Sequence, residues 1–336
     1  MELSTFIKTL PKAELHLHFE GAIPWHLVQE YNPDPVENTP HWWADEFLFD
    51  DFFHFSEAIR FCFYDVLTST TIYHLVAQQI FKNLLAQNVR YVEISISPEH
   101  VQRQNLSLVE VIDAIKQAAP PSLIVCVFCG LSRNISYTRH DKLVKTVLSA
   151  SNLDGLDLHG DESLGKPAPF VDIFKKAREN GLVTKAHAGE IVGPQSIIDA
   201  LDYLKVNRIE HGTTAINNKI LMTRLLEENI TLDMCPSSNL KLQVVDAIEN
   251  HPIKQFYDYG IKVTVNTDDP TVFGCNLTTE IELLASHLNF SPYDLAQLQI
   301  NAFEVASIST EIKKELLTEI NKLLTDYNYQ LTPLAI

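Results

Sequence analysis

The feature that most constrains this chain is a rhythm. From Ala13 onward, about eight short apolar strands alternate with helical segments, with no long linker and no break in composition. The strand-like runs are Lys12 to Glu20, Val89 to Ser95, Leu123 to Cys129, Leu153 to Leu158, Leu182 to Ala186, Arg208 to Glu210, Ile230 to Met234 and Ile261 to Val265. Alternation on this scale predicts parallel βαβ units. Eight of them, in a chain above the roughly 250 residues typical of the class, have the size of a (β/α)8 barrel. A doubly wound open sheet is the competing architecture. Polar residues decide between the two, because they cluster after strands one, four, five, six, seven and eight. A barrel brings those strand ends to one mouth, whereas an open sheet keeps the first and the eighth apart. The expected fold is therefore a (β/α)8 TIM barrel over residues 1–336 as one domain, with additional helices at the mouth and C-terminus.

Between the strands, helical periodicity covers Pro24 to Glu30, Thr71 to Gln87, Leu106 to Ala118, Asp141 to Leu148, Pro169 to Asn180, Pro194 to Leu204 and Asn217 to Glu228. A helical pair is expected over Val244 to Tyr259, and helices fill the rest to about Leu324. Gly181 is a natural helix stop, and Pro194 suits a helix start. Three prolines make Tyr31 to Pro40 a loop. The segment His41 to Phe63 is rich in Trp and Phe. It is read as an amphipathic helix packing on the domain, with a minority of its rings lining the mouth of a pocket.

Composition excludes some function classes. The net charge of -17 repels phosphate backbones, so nucleic acid is not an expected partner. Five cysteines in 336 residues do not make a disulfide framework. Cys126 and Cys129 form a CxxC in a strand-like run, where residues three apart point to opposite faces. Two reduced core cysteines are expected there. Glu2 and Lys8 interrupt the N-terminus, no leader pattern follows, and no apolar run is long enough to span a bilayer. A soluble cytoplasmic protein with no membrane partner is the expectation.

The chemistry gathers at strand ends. His16 and His18 lie two apart on a strand and so share a face. His187 ends the fifth strand and Asp268 the eighth. Three neutral imidazoles and one carboxylate suit Zn²⁺, with a position left open for water. Glu190, three residues past His187, could protonate a ring nitrogen or orient the water. A bland alternative is a helix-start glutamate favoured by the macrodipole. His211 is a candidate base. Asp269 cannot easily share the metal with Asp268, so a hydrogen bond to substrate suits it better. His159 lies near the mouth with no partner at ligand spacing.

Together these stretches resemble the adenosine deaminase family of the amidohydrolase superfamily. The resemblance rests on Pro11 to His18 with Glu20-Gly21-Ala22, Tyr91 to Pro98, Leu156 to Glu162, His187 to Glu190, Arg208 to Gly212, Cys235 to Asn239 and Val265 to Pro270. It spans the chain in the family's order. It implies one zinc per chain, held by His16, His18, His187 and Asp268, and hydrolytic removal of the 6-amino group of a purine. It implies that Glu190 holds the proton shared with purine N1 and that His211 orients the attacking water and takes its proton. The substrate would meet His18, Glu20, the Gly160 backbone N–H at N3 and Asp269 at N7.

Two departures bear on the substrate. Glu20 stands where the family's adenosine-specific pattern has aspartate, a position that reaches the ribose 5′-hydroxyl. His159 replaces a usually small residue. The Gly160-Asp161-Glu162 stretch is of the nucleoside type. The expected substrate is adenosine or 2′-deoxyadenosine, giving the inosine product and ammonia. The alternatives are a 5′-modified nucleoside (methylthioadenosine or aminodeoxyfutalosine) and free adenine. Rival readings are a metal-dependent hydrolase of amides or phosphoesters and a non-catalytic binding protein on the same scaffold. The purine-suited Glu190 and Asp269 oppose the first, and the intact ligand set opposes the second.

Overall fold

The computed structural model describes residues 1–33, 36–134 and 137–331. Eight strands form one sheet in sequence order: β1 (Lys12–His18), β2 (Val89–Ile96), β3 (Ile124–Ser132), β4 (Gly155–His159), β5 (Val183–Ala188), β6 (Arg208–His211), β7 (Thr231–Met234) and β8 (Lys262–Val265). Every neighbouring pair is parallel, from β1·β2 through β7·β8. The ring closes between β8 and β1 by a Leu17–Asp268 bridge, in which His18 N–H donates to Asp268 O at 3.0 Å and Asp268 N–H to His16 O at 2.9 Å. Deeper in this seam, side chains replace the ladder. Asn266 Oδ1 accepts from Leu15 N–H at 2.8 Å, and Gln299 Oε1 accepts from Ala13 N–H at 2.9 Å. With helices around it, this is a (β/α)8 barrel, as the alternation of elements predicts.

Several boundaries differ from expectation for local reasons. β1 stops at His18, and Glu20–Ala22 forms a 3-10 turn. β3 starts one residue later and runs on to Ser132, because Leu131 and Ser132 still pair with Leu158 and His159. The aromatic segment is not one helix. A 3-10 turn at His41–Trp43 and an extended stretch precede the helix Phe52–Phe63, whose start Asp51 caps by accepting His54 N–H at 2.9 Å. The expected helical pair reduces to a 3-10 turn at Ile248–Asn250 and the helix Ile253–Tyr259. Its first half, from Val244, loses helical pairing where Val244 and Val245 N–H both turn back to Asn239 O. A helix at Leu3–Thr9, unpredicted, packs Phe6 and Ile7 into the core. Positions 34 and 35 of the expected 31–40 loop lie outside the described residues.

The barrel interior is unusually polar beneath the mouth. Arg208 pairs with Glu93 at 2.8 Å and Asp233 at 2.7 Å, and Lys185 with Glu210 at 2.8 Å, all fully or nearly fully buried. Buried charges persist only when paired, and here two cations bridge three carboxylates. All five cysteines are free, and Cys126 and Cys129 are both buried. Among the described residues, no helix is long and apolar enough to cross a membrane.

Candidate active site

β1 carries the first two site residues. Its two-residue period sends both His16 and His18 inward, and both are buried. β5 brings His187 beside them, with His187 Nε2 at 3.1 Å from both His16 Nε2 and His18 Nε2. The residue after the β8 seam adds Asp268, whose Oδ1 is 3.3 Å from His16 Nε2 and 3.2 Å from His18 Nε2. The four residues expected as ligands therefore form one buried cluster.

Hydrogen bonds behind the ligands fix which ring atoms face the centre. His187 Nδ1 donates to Asp157 Oδ1 at 3.1 Å, with Glu210 Oε2 at ion-pair distance, 2.9 Å, so this nitrogen carries the proton. His16 Nδ1 faces the Asp233 carbonyl at 3.3 Å, with Cys235 Sγ also at 3.3 Å. Both Nε2 atoms then present lone pairs to each other at 3.1 Å. Two lone pairs at that separation repel unless a cation lies between them. Atoms bound to one zinc at about 2.0–2.1 Å, at tetrahedral angles, are separated by about 3.3 Å. The donor set thus fits a metal ion in both distance and charge. Ser238 Oγ donates to Asp268 Oδ2 at 2.8 Å and fixes the fourth ligand.

Two site residues have left-handed backbones, His211 with φ 64° and Asp268 with φ 63°. Such conformations cost a non-glycine residue of order 1–3 kcal/mol and cluster at functional sites. Here they turn each side chain from its strand end into the mouth. His211 Nε2 reaches Glu190 Oε1 at 3.5 Å and Asp268 Oδ2 at 3.8 Å. The Asn239 amide faces His211 Nδ1 at 3.2 Å and holds the ring from behind. Burial pushes His211 well down, which keeps the imidazole neutral. Burial pushes Glu190 well up, and the charge of Asp268 adds to this, so Glu190 keeps its proton.

Glu190 is aimed by its neighbours. Glu162 accepts from the N–H groups of Gly189 at 3.2 Å and Glu190 at 3.1 Å. Arg133 donates to the His187 carbonyl and, at 3.2 Å, to the Gly165 carbonyl. Asp269 is buried with Oδ1 lacking any partner, and burial followed by the Asp268 charge pushes it well up. The carboxyl also contacts Asp268, and Oδ1 is the oxygen left for a substrate atom. Gly21 permits its position, since a Cβ there would lie 1.7 Å from Asp269 Oδ1.

His18, His187, Glu190, His211, Asp268 and Asp269 border one cavity of ≈210 Å³. Its apolar wall is Phe52, Phe55, Ile59 and Phe63 of the aromatic helix, and Gly160 and His159 border it at the end of β4. His159 stacks on His18 with ring centroids 5.6 Å apart. Burial and the two neighbouring histidines push His159 down to about 3, so it is neutral. Glu20 lies on the same wall and accepts Ser97 N–H at 2.8 Å. A larger cavity of ≈970 Å³ lies on the other face of the aromatic helix, but no ligand of the cluster lines it, so size does not locate the chemistry. Asp157, Glu162, Ser238 and Asn239 lie in stretches the sequence singles out, yet spacing alone assigns them no role.

The chain is similar to known proteins over nearly its whole length. The family model described as adenosine deaminase matches residues 11–323. An adenine deaminase of Acinetobacter baylyi is 32% identical, over 96% of this chain and 100% of its own length. An aminodeoxyfutalosine deaminase of Streptomyces avermitilis is also 32% identical, over 95% of this chain and 93% of its own. The crystal structure of an adenine deaminase from Arthrobacter aurescens superposes with a TM-score of 0.86 at 27% identity, covering 94% of this chain and 99% of that one.

Proposed function

This chain belongs to the adenosine deaminase family of metal-dependent hydrolases, and from that premise we propose that it is a zinc enzyme that hydrolyses the 6-amino group of a purine nucleoside. The observation that carries the substrate reading is the division of the mouth. The four ligands and His211 come from β1, β5, β6 and the segment after β8, while the ends of β2 and β3 bring Ser97, Glu99, Ser132 and Asn134 to the same cavity. A purine with C6 at the metal cluster points N9 away from it. A polar wall there suits a sugar.

His16, His18, His187 and Asp268 would hold the zinc, which when bound supplies Lewis-acid activation of water at neutral pH. Attack at C6 breaks the ring's aromaticity and drives negative charge onto N1. Glu190, protonated and buried, gives N1 its proton and neutralises that charge. His211, neutral and held by Asn239, orients the attacking water and takes its proton. Asp269 donates to N7 through the oxygen that lacks a partner, and the Gly160 N–H meets N3. The tetrahedral carbon then collapses: the proton taken by His211 goes to the amino nitrogen, the C6–N bond breaks to release ammonia, and the C6 hydroxyl returns its proton to Glu190 as it becomes the carbonyl. Water is excluded on one side by the Phe52, Phe55 and Phe63 rings.

A second reading, free adenine as substrate, has its own support. The cavity of ≈210 Å³ is smaller than the roughly 300–1,000 Å³ usual for drug-sized ligands. The Acinetobacter relative is named an adenine deaminase. The deciding measurement is kcat/KM for adenosine, adenine, methylthioadenosine and AMP on one preparation, followed at the adenine absorbance band. Adenosine should lead. Adenine leading by about tenfold, or ~1.4 kcal/mol, would replace the nucleoside by the free base. No change with any 6-aminopurine would end the deaminase proposal for this chain.

The support behind the ligands is testable separately. Asp157→Asn leaves all four ligands in place but weakens the hold on the His187 Nδ1 proton. Metal affinity is expected to fall by about 10–100-fold, read by competition with a chelator. Unchanged affinity would leave Glu210 alone as the group that orients His187.

A further inference from the structure

We propose that Glu99 forms, with Glu20, a two-carboxylate subsite for the 5′ end of the substrate, one that takes hydroxyl or ammonium groups and rejects anions. This rests on the nucleoside reading and extends it to a residue that no motif pointed to. Both side chains line the cavity that holds the metal cluster. They reach it from different elements. Glu20 follows β1, and Glu99 begins the helix Pro98–Arg103 after β2.

Backbone donors fix both carboxylates. Ser97 N–H donates to Glu20 Oε1 at 2.8 Å, and Ser132 N–H donates to Glu99 Oε1 at 3.3 Å. Each bond uses one oxygen. Neither carboxylate makes an ion pair among the described residues. The cation one turn along the same helix, Arg103, is turned onto the Tyr64 ring, 5.5 Å from its centroid. Burial pushes Glu99 up to about 7, against the Ser132 N–H bond and the Arg103 charge, which pull it down. Two carboxyl groups bordering one cavity, neither in a close ion pair among the described residues, favour donors and cations there and oppose phosphate or carboxylate. The same cavity holds the buried, unpartnered Asp269 Oδ1, an independent sign that it is shaped for a ligand.

The chemistry this selects is definite. A ribose 5′-hydroxyl donates to either acid, and a 5′-ammonium pairs with both. A 5′-phosphate, or a 5′ substituent ending in a carboxylate, meets like charge. Free adenine does not extend this far, so its turnover reports on the ring alone.

The test compares kcat/KM for adenosine, 5′-amino-5′-deoxyadenosine, AMP and adenine in the wild-type protein and Glu99→Gln, an isosteric change that removes one charge. The ratio of the 5′-amino substrate to adenosine should fall by about tenfold, and the ratio of AMP to adenosine should rise by about the same. Adenine should change by less than about twofold, which shows that the variant is folded and its metal cluster intact. Both ratios within about twofold of wild type would overturn the subsite and leave the deaminase reading standing. Turnover of adenine with none of any nucleoside would also overturn it. No turnover of any 6-aminopurine would instead remove the reading on which it rests. If Glu99→Gln does not fold, inhibition of the wild-type protein decides. 5′-Amino-5′-deoxyinosine should bind at least about tenfold more tightly than inosine 5′-phosphate, and the reverse order refutes the proposal.

Discussion

Asp268→Ala is expected to lose the metal and turnover together. Elemental analysis of the purified variant should find far less than one zinc per chain, and activity should fall by roughly 10⁴-fold or more, about 5.4 kcal/mol of transition-state stabilisation. Asp268 is the one anion in the proposed ligand set, so without it three neutral imidazoles would face an ion of charge +2. The backbone complicates the comparison. Asp268 has φ 63°, a conformation that Asp and Asn tolerate better than Ala. Asp268→Asn is therefore the companion variant, since it keeps that tolerance and a contact for Ser238 Oγ while removing the charge. Metal loss in both assigns the effect to charge. Loss in Ala alone assigns it to the seam, where Asp268 N–H and carbonyl tie β8 to β1. Full activity in metal-free wild-type protein would end the metal reading altogether.

The contrast between Asp268 and Asp157 shows what a sequence reveals of a site like this. Asp268 ends a strand in a run of turn-forming polar residues, and a carboxylate there has few bland explanations. Asp157 alternates with Leu156 and Leu158 and could be any inward strand residue. Its meaning appears only in the barrel, where β4 lies beside β5 and Asp157 reaches His187 Nδ1. Glu210 is the same case. It is in register with His187 across β5 and β6, and that pairing depends on neighbouring strands being consecutive in the chain. A barrel order assumed from the alternation could have found both. Glu162 and Glu99 lie beyond such reasoning. Both accept backbone N–H groups, Glu162 from the turn after β5 and Glu99 from the end of β3, and nothing in residue spacing says where those groups point.

The fold was legible because its determinants are local and periodic. Apolar strands and amphipathic helices announce themselves within about ten residues, and eight repeats leave few ways to close. Boundaries were less legible where tertiary contacts override propensity. Asn239 is an example, since it takes the N–H groups of Val244 and Val245 and so breaks a helix that periodicity alone predicts. The same residue holds His211, so the misread segment is one that serves the site.

Glu190→Gln is expected to keep the metal and lose turnover. Glu190 belongs to no ligand group, and the contacts that place its loop run from its backbone N–H, and that of Gly189, to Glu162. An isosteric change of the side chain leaves those bonds untouched, so metal content and fold should match wild type. The lost function is the proton. Burial and the Asp268 charge keep Glu190 protonated, and an amide at this place can still donate a hydrogen bond but cannot release a proton to N1. Charge that develops on N1 during attack at C6 then stays unneutralised in a cavity closed by aromatic rings. A positioned acid of this kind contributes about 10²–10⁴-fold, or about 2.7–5.4 kcal/mol, and the loss should fall on kcat, because the ground-state hydrogen bond survives. Retention of more than roughly a tenth of the wild-type rate, with zinc still bound, would remove Glu190 from the proton path. His211, whose Nε2 lies 3.5 Å from Glu190 Oε1, would then be the group left to serve N1.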